Sequence, residues 1–412
     1  MTIKEKLVNL LRQSEKHTKT DMLYIIKGGF WLNIGKIAIF ITSLATMAAF
    51  ANFISPKAYG TYQYIISVVS LLAFFSLPGI DTALVKSIVQ KKEGTLKLSI
   101  KEKLKFSFIG SVILFGIATW YFVKGNLNLS LPFLVAATLF SFNQTFKIFP
   151  VFWQAKKDFY KTSKYSFLSS LFVALTIIPV IYYTENVFYL ILAFFLSHTL
   201  FDGIFLLKTL KQVKNKDEDK KAISFGKHLT VMSSIASIAY QIDKIILWQF
   251  LGPVQVAVYS FAHLPYIKIE ELFPVSVLAL PKLSEKNIRE IKKELLKKTF
   301  KLILLIVPLV ITCVIIAPYF YKIMFPRYME SVFYFRILIL LFLLAPFQIF
   351  SSSLIVEMRK KALYITNTTI PFLKIVLFVS LVPFWGILGI VISILIAESL
   401  RCFMYLYFFL KI

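Results

Sequence analysis

Apolar residues run along this chain in long blocks, separated by short polar breaks rich in lysine. Twelve blocks are long enough to cross a membrane as helix: 28–54, 59–84, 104–123, 129–152, 165–183, 186–207, 228–250, 256–280, 299–324, 331–355, 362–383 and 386–409. A bilayer core of about 30 Å takes roughly 20 apolar residues in a helix. Helix is the required form, because no water is present at that depth to satisfy backbone N–H and C=O groups. The breaks are too short to hold a second globular domain. The pattern predicts an all-α integral membrane protein with twelve transmembrane helices.

Composition supports this class. Hydrophobic residues make up 58% of the 412 and charged residues only 17%, against about 45–50% and about 25% in soluble domains. A soluble enzyme, a disordered chain and a fibre are excluded. The formal net charge is nevertheless +26, and its placement tests the topology. Basic residues favour the cytoplasmic side of short loops. With the amino terminus inside, 37 of the 47 Lys and Arg fall on inner segments. Four fall on outer ones (Lys57, Lys124, Lys322, Arg327) and six within helices (Lys36, Lys244, Lys268, Arg336, Lys374, Arg401). A missed helix would invert every later loop, so the asymmetry points to twelve crossings with both termini cytoplasmic. It also accounts for the basicity without nucleic acid, through orientation and contact with anionic membrane lipids.

Chemistry is sparse outside the helices. Cys313 and Cys402, far apart, exclude a disulfide framework, a cysteine-rich zinc site and an iron–sulfur cluster. His17, His198, His228 and His263 form no HExxH pair, and no GxxxxGK[ST] stretch occurs. The chain is expected to be no enzyme, to need no cofactor or metal, and to draw energy from an ion gradient, the membrane potential or removal of product. Residues 1–27 are too long and too mixed in charge for a signal peptide. Ile3, Leu7, Leu10 and Leu11 recur there at helical spacing, which fits a cytoplasmic amphipathic leader or a solvated one.

An internal repeat divides the rest. Residues 53–62 read FISPKAYGTY and residues 250–259 read FLGPVQVAVY, so that Phe53, Pro56 and Tyr62 match Phe250, Pro253 and Tyr259 at one offset of 197. Pro78 and Pro274 interrupt the second helix of each half at nearly the same offset. Six helices per half, an even number, gives parallel halves related by an axis along the membrane normal. The expected organisation is an N-lobe over 28–207, a cytoplasmic linker over 208–227 and a C-lobe over 228–412. Kinks at matching positions suggest alternating access, although proline is also common in membrane helices generally.

The amino-terminal third carries Lys27-Gly28-Gly29-Phe30-Trp31, then Phe53 to Tyr62, then Pro78-Gly79-Ile80-Asp81-Thr82-Ala83-Leu84-Val85-Lys86. The second half carries Gln241-Ile242-Asp243-Lys244-Ile245-Ile246-Leu247, Val258-Tyr259-Ser260 and Leu280-Pro281-Lys282-Leu283-Ser284. In order and spacing this resembles the polysaccharide-biosynthesis flippases, the Wzx-type O-antigen transporters; the last four helices carry no such motif. The resemblance implies two six-helix lobes around a V-shaped central cavity, a fold shared with MATE-type multidrug exporters and lipid II flippases. It implies movement of an undecaprenyl-pyrophosphate-linked oligosaccharide to the outer leaflet of the bacterial cytoplasmic membrane, with glycan polymerase machinery as a possible partner.

A polar head cannot cross hydrocarbon without partners, and ionisable residues inside helices are costly enough to mark candidate sites. Lys36 and Lys268 are read as pyrophosphate contacts; the competing readings are snorkelling for Lys36 and pairing with Glu271 for Lys268. Lys374 belongs to the cavity or to internal structure. Asp81, with Lys86 beyond it, is a substrate gate or caps a helix break. Asp243 is the candidate proton or sodium site, while its neighbour Lys244 projects about 100° away, toward the outer interface. Glu270 and Glu271 bind a coupling cation or hold Lys268. Glu398 and Arg401, three apart, form a structural pair. His198 and His263 contact sugar, relay protons or sit satisfied in the core. The alternative function is a MATE-like cation-coupled drug exporter, against which the lysines argue. A glycan polymerase would need a large, charged outer loop, and none is present. The topology has a direct check: a cysteine at position 57 is labelled by impermeant reagent from outside and one at 216 only from inside. The reverse pattern overturns it.

Overall fold

The computed structural model describes residues 22–272, 283 and 288–412. The order of α-helices is α1 (Met22–Phe53), α2 (Pro56–Leu72), α3 (Gly79–Val89), α4 (Thr95–Val123), α5 (Leu127–Phe146), α6 (Phe149–Ala155), α7 (Phe159–Tyr183) and α8 (Val187–Leu210). There follow α9 (Lys220–Leu251), α10 (Pro253–Leu272), α11 (Ile288–Met324), α12 (Ser331–Leu338), α13 (Gln348–Val356) and α14 (Lys360–Leu410). Tighter 3-10 turns bridge α2 to α3 over Ala73–Ser76 and α12 to α13 over Ile339–Phe347. No strand occurs among the described residues.

Every apolar block falls on helix as far as it is described; the end of the eighth, with Pro274, lies outside the described residues, as does the leader up to residue 21. Three blocks are subdivided: the second, the fourth between α5 and α6, and the tenth by the 3-10 turn between α12 and α13. The second is broken where Leu77 takes φ 56 before Pro78, the interruption expected from that proline. The last two join as α14, whose backbone reverses at Gly386 with φ 57 and ψ −132, a region essentially restricted to glycine. Nine helical segments among the described residues are long and apolar enough to cross a membrane. The helices α9 and α10 are not among them, because they carry Ser233, Ser234, Gln241, Asp243, Lys244, His263, Lys268, Glu270 and Glu271. The most polar long helices are thus those with the most candidate chemistry.

The chain forms two compact units: unit 1 takes in Met1–Met47, Ala73–Val180 and Phe188–Val231, and unit 2 Ala48–Leu72, Ile181–Val187 and Met232–Ile412. In unit 1, α4 and α5 lie against each other because Gly110 leaves room for Phe140; a Cβ there would come within 2.4 Å of its ring. Asn126 caps α5 by accepting the Leu129 N–H at 3.2 Å. The polar breaks fold into a clasp. The buried Glu93 carboxylate accepts from the Lys156 ammonium and from the Lys214 N–H. The Asn215 amide oxygen receives the Glu93 N–H at 3.0 Å. Asp219 caps α9 through the Ala222 N–H at 3.0 Å and pairs with Lys92 at 3.0 Å. Burial works to raise the Glu93 carboxyl, but Lys156 and the Lys214 N–H outweigh it and hold it below the ordinary carboxylate range.

In unit 2 the two repeat segments meet. Pro56 and Pro253 each open a helix, at the position where the missing N–H costs nothing. The helices α2 and α10 then approach so closely at Gly60 that a Cβ there would sit 1.7 Å from the Pro253 carbonyl oxygen. Around this contact Tyr59, Tyr259, Phe261 and Tyr328 are fully buried, with the Phe261 and Tyr328 rings 3.9 Å apart. Ser331 and Tyr321 donate to the Val258 and Phe261 carbonyls, both at 2.7 Å.

Two outcomes follow from these contacts. Replacing Gly60 with alanine forces α2 off α10 and destabilises the protein by at least about 1–3 kcal/mol, read as a lower melting temperature in detergent. The clasp carries pH dependence of a fixed sign. A carboxyl whose folded pKa is depressed stabilises above its unfolded value, near 4.3 for glutamate, and that stability is lost as pH falls through the folded value. Amide protection over 211–219, taken relative to the intrinsic exchange rate, therefore holds at neutral pH and is lost as pH falls below the ordinary glutamate range, whereas Glu93→Gln lacks it throughout.

Candidate functional site

The chemistry of unit 2 is arranged by helical periodicity. On α10, His263, Tyr266 and Glu270 recur at three- and four-residue spacing and share a face. On the second half of α14, Ile394, Glu398, Arg401 and Tyr405 do the same, and on its first half Pro371 and Lys374. These faces, with Tyr240 of α9 and Gln348 and Ser351 of α13, enclose a cavity of about 460 Å³. Apolar Leu341, Phe342 and Ala345 of the 3-10 turn complete its wall.

Each ionised group at the cavity has a compensating neighbour. Arg401 donates to Glu398 at 2.8 Å, the pair expected from their spacing. Lys374 lies within electrostatic reach of Glu398, Asp243 and Glu270, and its ammonium sits 5.6 Å from the centre of the Phe378 ring. Glu270 is hydrogen-bonded by Tyr266 one turn earlier. Tyr405 donates to Asn367 at 3.4 Å across the two halves of α14.

Asp243 sits behind the cavity wall. It is 4% exposed and accepts the Tyr259 hydroxyl at 2.5 Å and the Lys244 N–H at 2.7 Å. His263 lies 3.1 Å from the same hydroxyl and 3.7 Å from the carboxylate, so it connects Asp243 to the cavity. Lys244 has a partner on another helix. Its ammonium donates to Gln63 of α2 at 3.0 Å, and Gln63 in turn donates to the Tyr59 hydroxyl at 2.8 Å. A charge that close to a buried amide oxygen gains more there than by extending outward.

The other candidates are dispersed. Lys268 donates to Glu271 at 2.8 Å, the one-turn pairing that was its competing reading. Lys36 is exposed on α1, and Lys86 is exposed near the end of α3. Asp81, in the first turn of α3, is bound by the ammonium of Lys103 at 2.7 Å. Lys103 is itself 2% exposed, so this buried lysine of α4, absent from the sequence reading, explains why a carboxylate stands there. Gln348, Ser351 and Tyr405 were also missed. The signal for Tyr405 was present in its spacing from Glu398 and Arg401; for the α13 residues there was none, because a 3-10 turn interrupts the helical period before them.

The fold has known counterparts. Residues 25–285 match the family described as "Polysaccharide biosynthesis protein". A comparison with curated protein sequences gives no match. Among solved structures, the lipid II flippase MurJ superposes with a TM-score of 0.71 at 15% identity, covering 91% of this chain and 86% of MurJ. An inward-facing MATE multidrug resistance transporter of the MOP superfamily gives 0.64 at 13% identity, covering 92% and 97%. A MOP superfamily transporter from Pyrococcus furiosus, whose binding pocket is described as reversed in polarity, gives 0.61 at 13%, covering 94% and 95%. At these identities the likeness is one of fold, whereas the sequence match spans well over half of the chain. The protein is therefore a multi-pass membrane protein with a MurJ- and MATE-like fold, and it belongs to the polysaccharide biosynthesis protein family.

Proposed function

We propose that the chain is a flippase that carries an undecaprenyl-pyrophosphate-linked oligosaccharide, an O-antigen or similar surface-glycan repeat unit, from the inner to the outer leaflet of a bacterial cytoplasmic membrane. The observation that carries this reading is the cavity in unit 2. A space of about 460 Å³ lined by Lys374, Arg401, Glu270, Glu398 and three tyrosines offers cations to phosphate, and amide, hydroxyl and carboxylate groups to sugar hydroxyls. Tyrosine faces add an apolar platform for sugar rings. A site for cationic drugs would leave its acids uncovered; here Arg401 and Lys374 cover them, which favours a head of mixed polarity.

In this reading twelve crossings with both termini inside form two six-helix lobes joined by the 208–227 linker, and alternating access exposes the head site to each side in turn. Lys36, Lys268 and Lys374 meet the pyrophosphate, while Asp81 and Lys86 gate the inner side. Asp243 and Glu270, with Glu271 holding Lys268, carry the coupling proton or ion; His263 links Asp243 to the cavity. Product is drawn off by glycan polymerase machinery outside. MurJ is named for lipid II, itself a lipid-linked saccharide, and the family match adds polysaccharide biosynthesis; both support a glycan cargo over a drug.

Surface glycan tests the assignment. A charge-assisted hydrogen bond lost from the head costs about 1.5–3 kcal/mol, or roughly ten- to a hundredfold in affinity. Lys374→Ala and Arg401→Ala should leave membrane abundance unchanged and make lipid-linked oligosaccharide accumulate on the inner leaflet of a flippase-null host. Full surface glycan in Lys374→Ala, Lys36→Ala and Lys268→Ala alike removes the pyrophosphate assignment. Gained drug tolerance in that host would move the protein to the exporters.

A further inference from the structure

Unit 1 holds a buried polar cluster of its own. Asp202 of α8 is 4% exposed. One of its oxygens accepts the Ser169 hydroxyl of α7, and the other lies 3.3 Å from Nδ1 of His198, one turn earlier on α8. Asn143 of α5 is 1% exposed, yet neither atom of its amide has a hydrogen-bond partner among the described residues, nor does the buried hydroxyl of Thr199. Register brings these groups together. A Cβ at Gly203 would touch the Phe146 ring at 3.2 Å. Asn143 stands one turn before Phe146 on α5, and Thr199 one turn before Gly203 on α8; Lys147, next to Phe146, interacts electrostatically with Asp202 and His198. Three residues past Asp202 on α8, the Phe205 ring stacks on Tyr165 at 5.1 Å and lies 5.7 Å from Phe149.

The chemistry is directional. A carboxylate facing Nδ1 holds the proton there, which leaves Nε2 as an acceptor and stabilises the imidazolium formed when it is used. An orphaned amide this deeply buried is costly unless water occupies the space beside it, and Asn143 and Thr199 supply donors and acceptors for such a water. We propose that His198 and Asp202 form a proton-loading site within unit 1, reached through water held by Asn143 and Thr199. Hydronium gives a proton to Nε2, leaving water and an imidazolium; the reverse step releases it, and no electrons move. The charged groups beside His198 among the described residues are Asp202 on its own helix and Lys147 just past the end of α5. From α7 the partner is the uncharged Ser169. Phe194 packs edge-on against the ring at 4.7 Å.

Diethylpyrocarbonate, which modifies only neutral imidazole, tests this on the purified full-length protein, with peptide mass spectrometry reading His198. Modification should follow a single titration and fall about tenfold per unit below its midpoint. Asp202→Asn should move the midpoint down. Ser169→Ala, which leaves the carboxylate a stronger base, should move it up and serves if Asp202→Asn does not fold. Asn143→Leu should slow modification at every pH by removing the water. A flat profile in the unaltered protein, or a midpoint that none of the carboxylate variants moves, overturns the proposal. The titration needs no cargo, so its failure leaves the flippase reading standing, and failed glycan tests leave this site standing.

Discussion

A charge inside a hydrocarbon-embedded bundle has to bring its partner with it, and the placement of polar groups in this protein follows from that constraint. Desolvating a single ammonium or carboxylate costs several kcal/mol even after relaxation. The buried Lys103 binds Asp81, Arg401 binds Glu398, and Lys244 spends its ammonium on Gln63. Lys268 and Glu271 stay on one helix and satisfy each other within a turn. Compensation makes these residues tolerable, and it also leaves a polar interior open to water. The unit 2 cavity is where several compensated groups converge without filling the space between them.

The same constraint explains which helices do the chemistry. A helix of continuous Leu, Ile and Phe, such as α11, presents most of its side chains outward, with Phe300, Leu304, Leu305 and Ile323 all exposed. The helices α9 and α10 cannot face lipid on the side that bears Asp243, His263 and Glu270. They turn those side chains into unit 2, where Tyr259 and Tyr266 receive them. Close backbone approach sets the apolar packing beside them. At Gly60 the backbones of α2 and α10 touch, and the aromatic cluster of Tyr59, Tyr259 and Phe261 packs around that contact.

Much of the architecture was legible because hydrophobic blocks report directly on helix. The repeat was legible for a local reason: Pro56 and Pro253 begin helices, and tyrosines six residues later are buried in both copies. Charges were less readable. Spacing predicted Glu398 with Arg401 and Lys268 with Glu271 because both pairs lie on single helices. It could not predict Lys103 with Asp81 or Lys244 with Gln63, because those partners are brought together by tertiary packing. The 3-10 turn over Ile339–Phe347 hid Gln348 and Ser351 in the same way, by rotating α13 out of the period set by α12.

The lysines that seemed decisive in the sequence therefore weigh differently in the structure. Lys268 arrives with its own carboxylate, so an anion competing for it must outbid Glu271 at 2.8 Å. Lys374 is shared among Glu398, Asp243 and Glu270 and is committed to none at hydrogen-bonding distance among the described residues. A moving anion is better served by a cation of the second kind. Tight, single-partner pairing lowers the ground state and raises the cost of exchange, whereas a cation balanced between several carboxylates can change partners at little cost. In the flippase reading proposed above, that difference in exchange cost makes Lys374, rather than Lys268, the stronger ammonium with which to bind and release a phosphate.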